Sequence, residues 1–125
     1  MNALKSLAPV AHWLPRLSLA ATFAYHGWPK VTDSAGMASM MGMPAMIIIL
    51  LGVIEIGGAA LILYGGTGAE WATQVAGLLF AGVMAGAIVM VHAANGWNSI
   101  GAMGMEFQVL ILAVSVYFAA RGNDV

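Results

Sequence analysis

The sequence predicts an all-α integral membrane protein, a single domain over residues 1–125 folded as a four-helix bundle. Three observations predict it. Of its 125 residues 62% are hydrophobic and only 7% charged, with mean hydropathy +0.92, whereas a soluble domain carries about a quarter charged residues to wet its surface. Apolar stretches long enough to span a bilayer recur, separated by short polar or glycine-rich connections. One acid, Glu55, sits in the middle of the apolar run from Pro44 to Tyr64. An ionisable group at that depth costs at least about 2.5 kcal/mol, so it is expected to face protein, a cavity or a substrate path.

The first span is expected over residues 10–28. Lys5 followed by an apolar run imitates a signal peptide, but Pro9, His12, Pro15 and Arg16 interrupt the run and no small-residue cleavage site closes it. The segment is therefore read as retained, with residues Met1 to Ala8 at the membrane surface and a kink at Pro15. A polar connection follows from Val31 to Gly42. The second span covers residues 44–64, with Pro44 suited to a first helical turn, and Gly65-Gly66-Thr67-Gly68 closes it as a turn. The third covers residues 72–94, where Gly82 and Gly86 offer a small-xxx-small packing face. Asn95 to Asn98 reads as a turn, and the fourth span covers residues 103–120, ending at Arg121-Gly122. Trp13, Trp28, Tyr64, Trp71, Trp97 and Tyr117 gather at these boundaries, as interfacial aromatic belts do.

Composition also excludes function classes. A net charge of −1 with no basic cluster removes the electrostatic footprint of nucleic-acid binding. The absence of cysteine removes disulfides, thiolate nucleophiles and ligation of an iron–sulfur cluster by this chain. Redox chemistry, if the chain takes part in any, then comes from a partner or a bound group.

Glu55 has Leu51, Gly52, Gly58 and Ala59 as helical neighbours, mostly small residues that permit close helix approach. Arg16 shares a stripe with Ala20, Phe23 and Gly27. If Trp28 and Pro44 stand at one membrane face, Arg16 and Glu55 both lie roughly 16–18 Å from it, which predicts a buried Arg16–Glu55 pair. Its alternative role is to fix helix register only. His26, His92 and Glu106 are expected near that same face, where two imidazoles and a carboxyl group could hold a quinone oxygen, relay protons or bind a metal. The methionines Met37, Met40, Met41, Met43, Met46, Met103 and Met105 suit copper(I), yet thioethers more often fill apolar gaps, so copper is not expected and no metal ligands are assigned. His12 reads as an interfacial residue and Glu70 as a solvated turn charge.

The segment Arg16 to Lys30, with its arginine, then Phe23, then Gly27-Trp28-Pro29-Lys30, resembles the first span of the DoxX family. Gly42-Met43-Pro44, Glu55-Ile56-Gly57-Gly58, His92 to Trp97 and Glu106 continue the family's pattern in order, with Ala20 standing where the family often has glycine. The resemblance implies a four-helix membrane protein whose relatives include the membrane subunit of thiosulfate:quinone oxidoreductase and membrane partners of thiol-redox proteins. Carried onto this chain, it points to Arg16, Glu55, His92 and Glu106 as catalytic, and Lys30 and Asn95, joined here by His26 and Trp97, as cofactor-binding. The expected function is a membrane redox component holding quinone or a similar apolar redox molecule between helices. The alternative is a non-catalytic structural or assembly subunit of a larger membrane complex. Expected partners are the lipid bilayer and other membrane subunits or further copies of the chain. The expected location is a bacterial-type inner membrane with both termini cytoplasmic, since Lys5 and Arg121 share one side.

Overall fold

A computed structural model describes residues 2–125; Met1, the first residue of the expected surface segment, lies outside them. Among the described residues the chain is all-helical. Two short helices, α1 (Asn2–Lys5) and α2 (Ala8–Ala11), lead into α3 (Trp13–Thr32); α4 (Ser34–Met41) precedes α5 (Ala45–Gly65). Then come α6 (Glu70–Ala87), a π-helical turn at Ile88–His92, a 3₁₀ turn at Ala93–Asn95, α7 (Ser99–Ala102) and α8 (Glu106–Arg121).

The helix ends follow the local chemistry. Pro15 is the third residue of α3, where its missing N–H has no helical acceptor to lose, so α3 passes through it without interruption. Pro29 lies inside the same helix, which runs on to Thr32, beyond the expected end at Trp28. The connection expected as a polar loop contains α4, because the Asp33 carboxylate accepts from the Gly36 N–H at 3.2 Å as an N-cap and Gly42 closes the helix at φ 65°. Pro44 sits just before α5 as its N-cap residue. The last long helix starts at Glu106, later than expected, because a left-handed Met103 (φ 54°), which closes α7, stands at the start of the expected span.

The long helices pack in chain order, α3 on α5, α5 on α6 and α6 on α8. Leu19, Phe23, Ala59, Ile62, Ala76, Phe80 and Phe118 form the shared core. Phe23 and Phe80 stack with centroids 3.8 Å apart and planes 7° from parallel. Helix α5, and α6 with the turns that extend it to Asn95, are long and apolar enough to cross a membrane. The outer faces are apolar too: Leu50 and Val53 are more than half exposed and Val89 is 78% exposed. That much greasy surface matches a chain solvated by lipid or by other apolar partners, and is rare on a soluble monomer.

The expected packing glycines of α6 are not the ones used. A Cβ at Gly82 or Gly86 would meet nothing within 4 Å, whereas one at Gly77 would stand 2.5 Å from Ala119 N and 2.7 Å from Ser115 O on α8. The spacing of Gly82 and Gly86 is right, but the inward face of α6 is the one carrying Ala72, Thr73, Ala76, Gly77 and Phe80, which are buried. Gly77→Leu is therefore expected to push α6 and α8 apart and cost about 1–3 kcal/mol, while Gly82→Leu stays within about 0.5 kcal/mol of wild type. Unfolding in detergent micelles by denaturant titration checks the contrast.

Candidate functional site

Two buried charged groups organise the interior, and they do not meet each other. Glu55 is paired with Lys30: Lys30 Nζ donates to Glu55 Oε2 at 2.7 Å and to Oε1 at 3.0 Å, and its third donor reaches His26 O at 2.8 Å. The residues are 8% and 4% exposed, so this is a dry ion pair with every ammonium proton in use. It lies where the backbones of α3 and α5 come closest: a Cβ on Gly27 would stand 3.1 Å from Gly52 O, and one on Gly52 would stand 2.9 Å from Gly27 O. The small neighbours of Glu55 thus face protein, as the sequence predicts. Its partner, however, is the lysine.

Arg16 is fully buried and makes a different set of bonds. Its Nη1 donates to Thr73 Oγ1 of α6 at 2.8 Å and to Ile62 O of α5 at 3.1 Å; Nη2 donates to Asn123 Oδ1 at 2.9 Å; Nε donates to His12 Nδ1 at 3.1 Å. The Phe118 ring of α8 covers the guanidinium with its centroid 4.7 Å from Cζ. Thr73 Oγ1 also donates to Asn123 Oδ1, and Asn123 Nδ2 donates to Gly65 O. Ile62 and Gly65 are among the last four residues of α5, whose carbonyls have no helical partners and form the negative end of its dipole. One helix C-terminal carbonyl and three neutral side chains therefore stand where a carboxylate was expected.

The Arg16–Glu55 pair fails because the two helices are offset. Gly27 lies against Gly52 and Glu55, and Trp13 lies against Gly66. Trp28 is thus level with a point about two turns beyond Pro44, roughly 12 Å along α5. The extension of α3 to Thr32 and the insertion of α4 produce that offset. Arg16 lands at the C-terminal end of α5 and Lys30 lands at Glu55.

The third expected group divides as well. His92 Nδ1 bonds Met103 O at 2.8 Å, which requires the proton on Nδ1, so Nε2 accepts from Gln108 Nε2 at 3.2 Å. Asn95 Nδ2 donates to the same Met103 carbonyl at 3.3 Å. Glu106 Oε1 accepts from Ser99 N at 2.8 Å, and Trp97, exposed, offers its carbonyl to the Glu106 N–H. His92, Asn95, Trp97 and Glu106 thus belong to one hydrogen-bonded loop at the mouth of α6 and α8. No hydrogen bond among the described residues joins His26 to it. His26 instead lines a cleft of about 420 Å³ with Tyr25, Trp28, Pro29, Lys30 and Met37. No cluster of three acid or imidazole groups fit to hold a metal ion occurs among the described residues.

A DoxX family model matches residues 12–93. The chain belongs to the DoxX family. The matched stretch contains Arg16, Lys30, Glu55 and His92, while Asn95, Trp97 and Glu106 lie beyond it. CatD of Bacillus subtilis (strain 168), a protein provisionally named an oxidoreductase, is 29% identical over 113 residues, which cover 88% of this chain and 78% of CatD. No solved structure matches.

Sequence reasoning missed Thr73, Asn123 and the role of His12 in this DoxX protein. Thr73 lies in the first turns of α6 and Asn123 just past α8, at the same end of the chain's packing as Arg16, but a lone threonine or asparagine carries no motif. Glu70 is exposed, as read from the sequence, and its side chain lies beside Gly122. Removing one member of the lysine–glutamate pair, as in Lys30→Met or Glu55→Leu, is expected to cost about 3–5 kcal/mol, and the double variant to recover most of it; a double-mutant cycle on micellar unfolding measures this. Arg16→Lys leaves a point charge facing acceptors arranged for a fork, with an expected loss of about 1–3 kcal/mol by the same assay.

Proposed function

We propose that this DoxX protein is a four-span bundle in a bacterial-type inner membrane, both termini cytoplasmic, and a redox component that binds quinone or a similar apolar redox molecule between its helices. The observation that carries this reading is the cleft beside the buried Lys30–Glu55 pair. Its volume of about 420 Å³ falls within the range of small-molecule sites. Tyr25 and Trp28 give it aromatic walls, Met37 and Pro29 apolar ones, and His26 an imidazole edge. That set fits a planar ring carrying carbonyl oxygens.

A bound quinone would supply chemistry in which two electrons and two protons are taken up together. The residues of the chain do the rest. His26, exposed at the cleft edge, hydrogen-bonds an oxygen and exchanges its proton with the aqueous side. Lys30 and Glu55 hold a matched charge pair behind the cleft, which keeps the wall polar without leaving a net charge there. Arg16 acts at the other end of the helices and positions them. His92 and Glu106 shape the loop that joins α6 to α8. The chain has no cysteine, so electrons reach the cleft from a partner protein or a reduced small molecule.

A second reading, a structural or assembly subunit of a larger membrane complex, is favoured by one observation: all three donors of Lys30 are already taken inside the chain. The two readings part in one experiment. Quenching of tryptophan fluorescence by decyl-ubiquinone, titrated into the protein in nanodiscs, is expected to saturate. His26→Ala and Tyr25→Ala are expected to weaken it about tenfold, worth about 1.4 kcal/mol. Identical titrations in folded variants, with larger partner subunits recovered after gentle solubilisation, support the structural reading instead.

A further inference from the structure

The helices pack in sequence order, yet the first and the last long helices do not close the circle: α3 packs on α5 and α8 on α6, with no substantial α3–α8 interface among the described residues. A groove of about 420 Å³ lies there instead, with His12 and Pro15 on the α3 side, Val114, Tyr117 and Phe118 on the α8 side, and Val125 at its end. Its lining is almost wholly apolar. His12 is the exception, and its chemistry is set from behind. Because Arg16 Nε–H donates to His12 Nδ1 at 3.1 Å, that nitrogen carries the lone pair, and the proton of the neutral ring sits on Nε2. This N–H has no hydrogen-bond partner among the described residues.

Behind His12 and the Phe118 ring stands the Arg16 guanidinium. Its acceptors are a threonine hydroxyl, an asparagine oxygen, an imidazole nitrogen and a backbone carbonyl, all formally neutral. Among the described residues the salt bridge is Lys30–Glu55, so no carboxylate lies within 4.0 Å of Arg16. The end of α5 offsets only part of the charge, and Glu70, the carboxylate beside Gly122 at this end, stands beyond salt-bridge reach of Arg16. In a low-dielectric setting the remainder reaches across the groove wall and favours an anion there. The same end of the molecule carries Trp13, Tyr64, Trp71 and Tyr117, with Tyr64 and Trp71 in edge contact at 6.3 Å, a grouping typical of headgroup depth.

We propose that the α3–α8 groove binds one anionic glycerophospholipid, an acyl chain lying along Pro15, Val114 and Phe118 and a headgroup or ester oxygen accepting the His12 Nε2–H. An apolar trough open to the side takes an acyl chain. A fixed N–H at its end takes an oxygen, and the unpaired guanidinium behind it selects a negative headgroup over a zwitterionic one. The site is separate from the His26 cleft and does not depend on quinone binding.

Native mass spectrometry of the full chain released from nanodiscs tests this. With phosphatidylglycerol nanodiscs one retained lipid per chain is expected, and with phosphatidylcholine at least about fivefold less. Val114→Trp, which fills the trough, and His12→Phe, which keeps a ring but removes the N–H, are each expected to lower phosphatidylglycerol retention about fivefold or more. Leu78→Trp, on an exposed face of α6, is expected to leave it unchanged. Circular dichroism checks that each variant is folded, and Val114 makes none of the Arg16 bonds, so its result stands even if His12→Phe unfolds. Equal retention of the two lipids, or retention unchanged by Val114→Trp, overturns the proposal. So does a lipid-free dimer, which would assign the groove to a second copy of the chain.

Discussion

A guanidinium with no carboxylate partner decides where the helices of this DoxX protein meet. Arg16 sits at the start of α3, and its fork reaches α5 through Ile62 O, α6 through Thr73 and the chain beyond α8 through Asn123, under a ring from α8 itself. A charge that cannot be discharged and cannot reach water needs acceptors at most of its donors, and four of the five N–H groups have one, so the positions of those acceptors are tightly constrained. One acceptor, Ile62 O, comes from the last turn of α5, and the other three are the side chains of Thr73, Asn123 and His12. The arginine therefore satisfies the C-terminal end of α5 while that end satisfies the arginine.

The Lys30–Glu55 pair solves a different problem further along α3. An ammonium and a carboxylate neutralise each other between two helices whose glycines let the backbones approach. Such a pair adds little net stability, because desolvation offsets most of its attraction; its effect is on register. Sliding α3 by one turn along α5 would separate both charges and drive Gly27 away from Gly52. Arg16 fixes one end of α3 and Lys30 the other, and between them Phe23 stacks on Phe80 to carry the apolar contact toward α6.

Helix positions were legible in the sequence because apolar length and glycine-rich connections are local signals. The burial of Glu55 and of Arg16 was legible for the same reason: small residues at helical spacing mark a protein-facing stripe. Which base meets which acid was not legible. That depends on the relative height of α3 and α5, and the height was misjudged by about two turns because Pro29 does not end α3 and Asp33 nucleates a further helix before Pro44. The same offset places Lys30, which lies beyond the expected end of the first span at residue 28 and which the resemblance to the family marks, inside α3 against Glu55. Gly82 and Gly86 failed for a rotational cause: spacing identifies a stripe, but only the neighbours on α8 decide that Gly77 is the one turned inward.

The chemistry open to the molecule follows from how completely these charges are engaged. Lys30 has no proton left to offer, and Arg16 makes four bonds with its five N–H groups. A molecule entering the cleft beside Lys30 therefore meets His26 and the aromatic walls first, and can draw on Glu55 only by opening the ion pair. That opening would loosen the closest contact between α3 and α5. A proton delivered to Glu55 would therefore act first on the lysine that seats α3 on α5, since the same ammonium bonds the carboxylate and the His26 carbonyl.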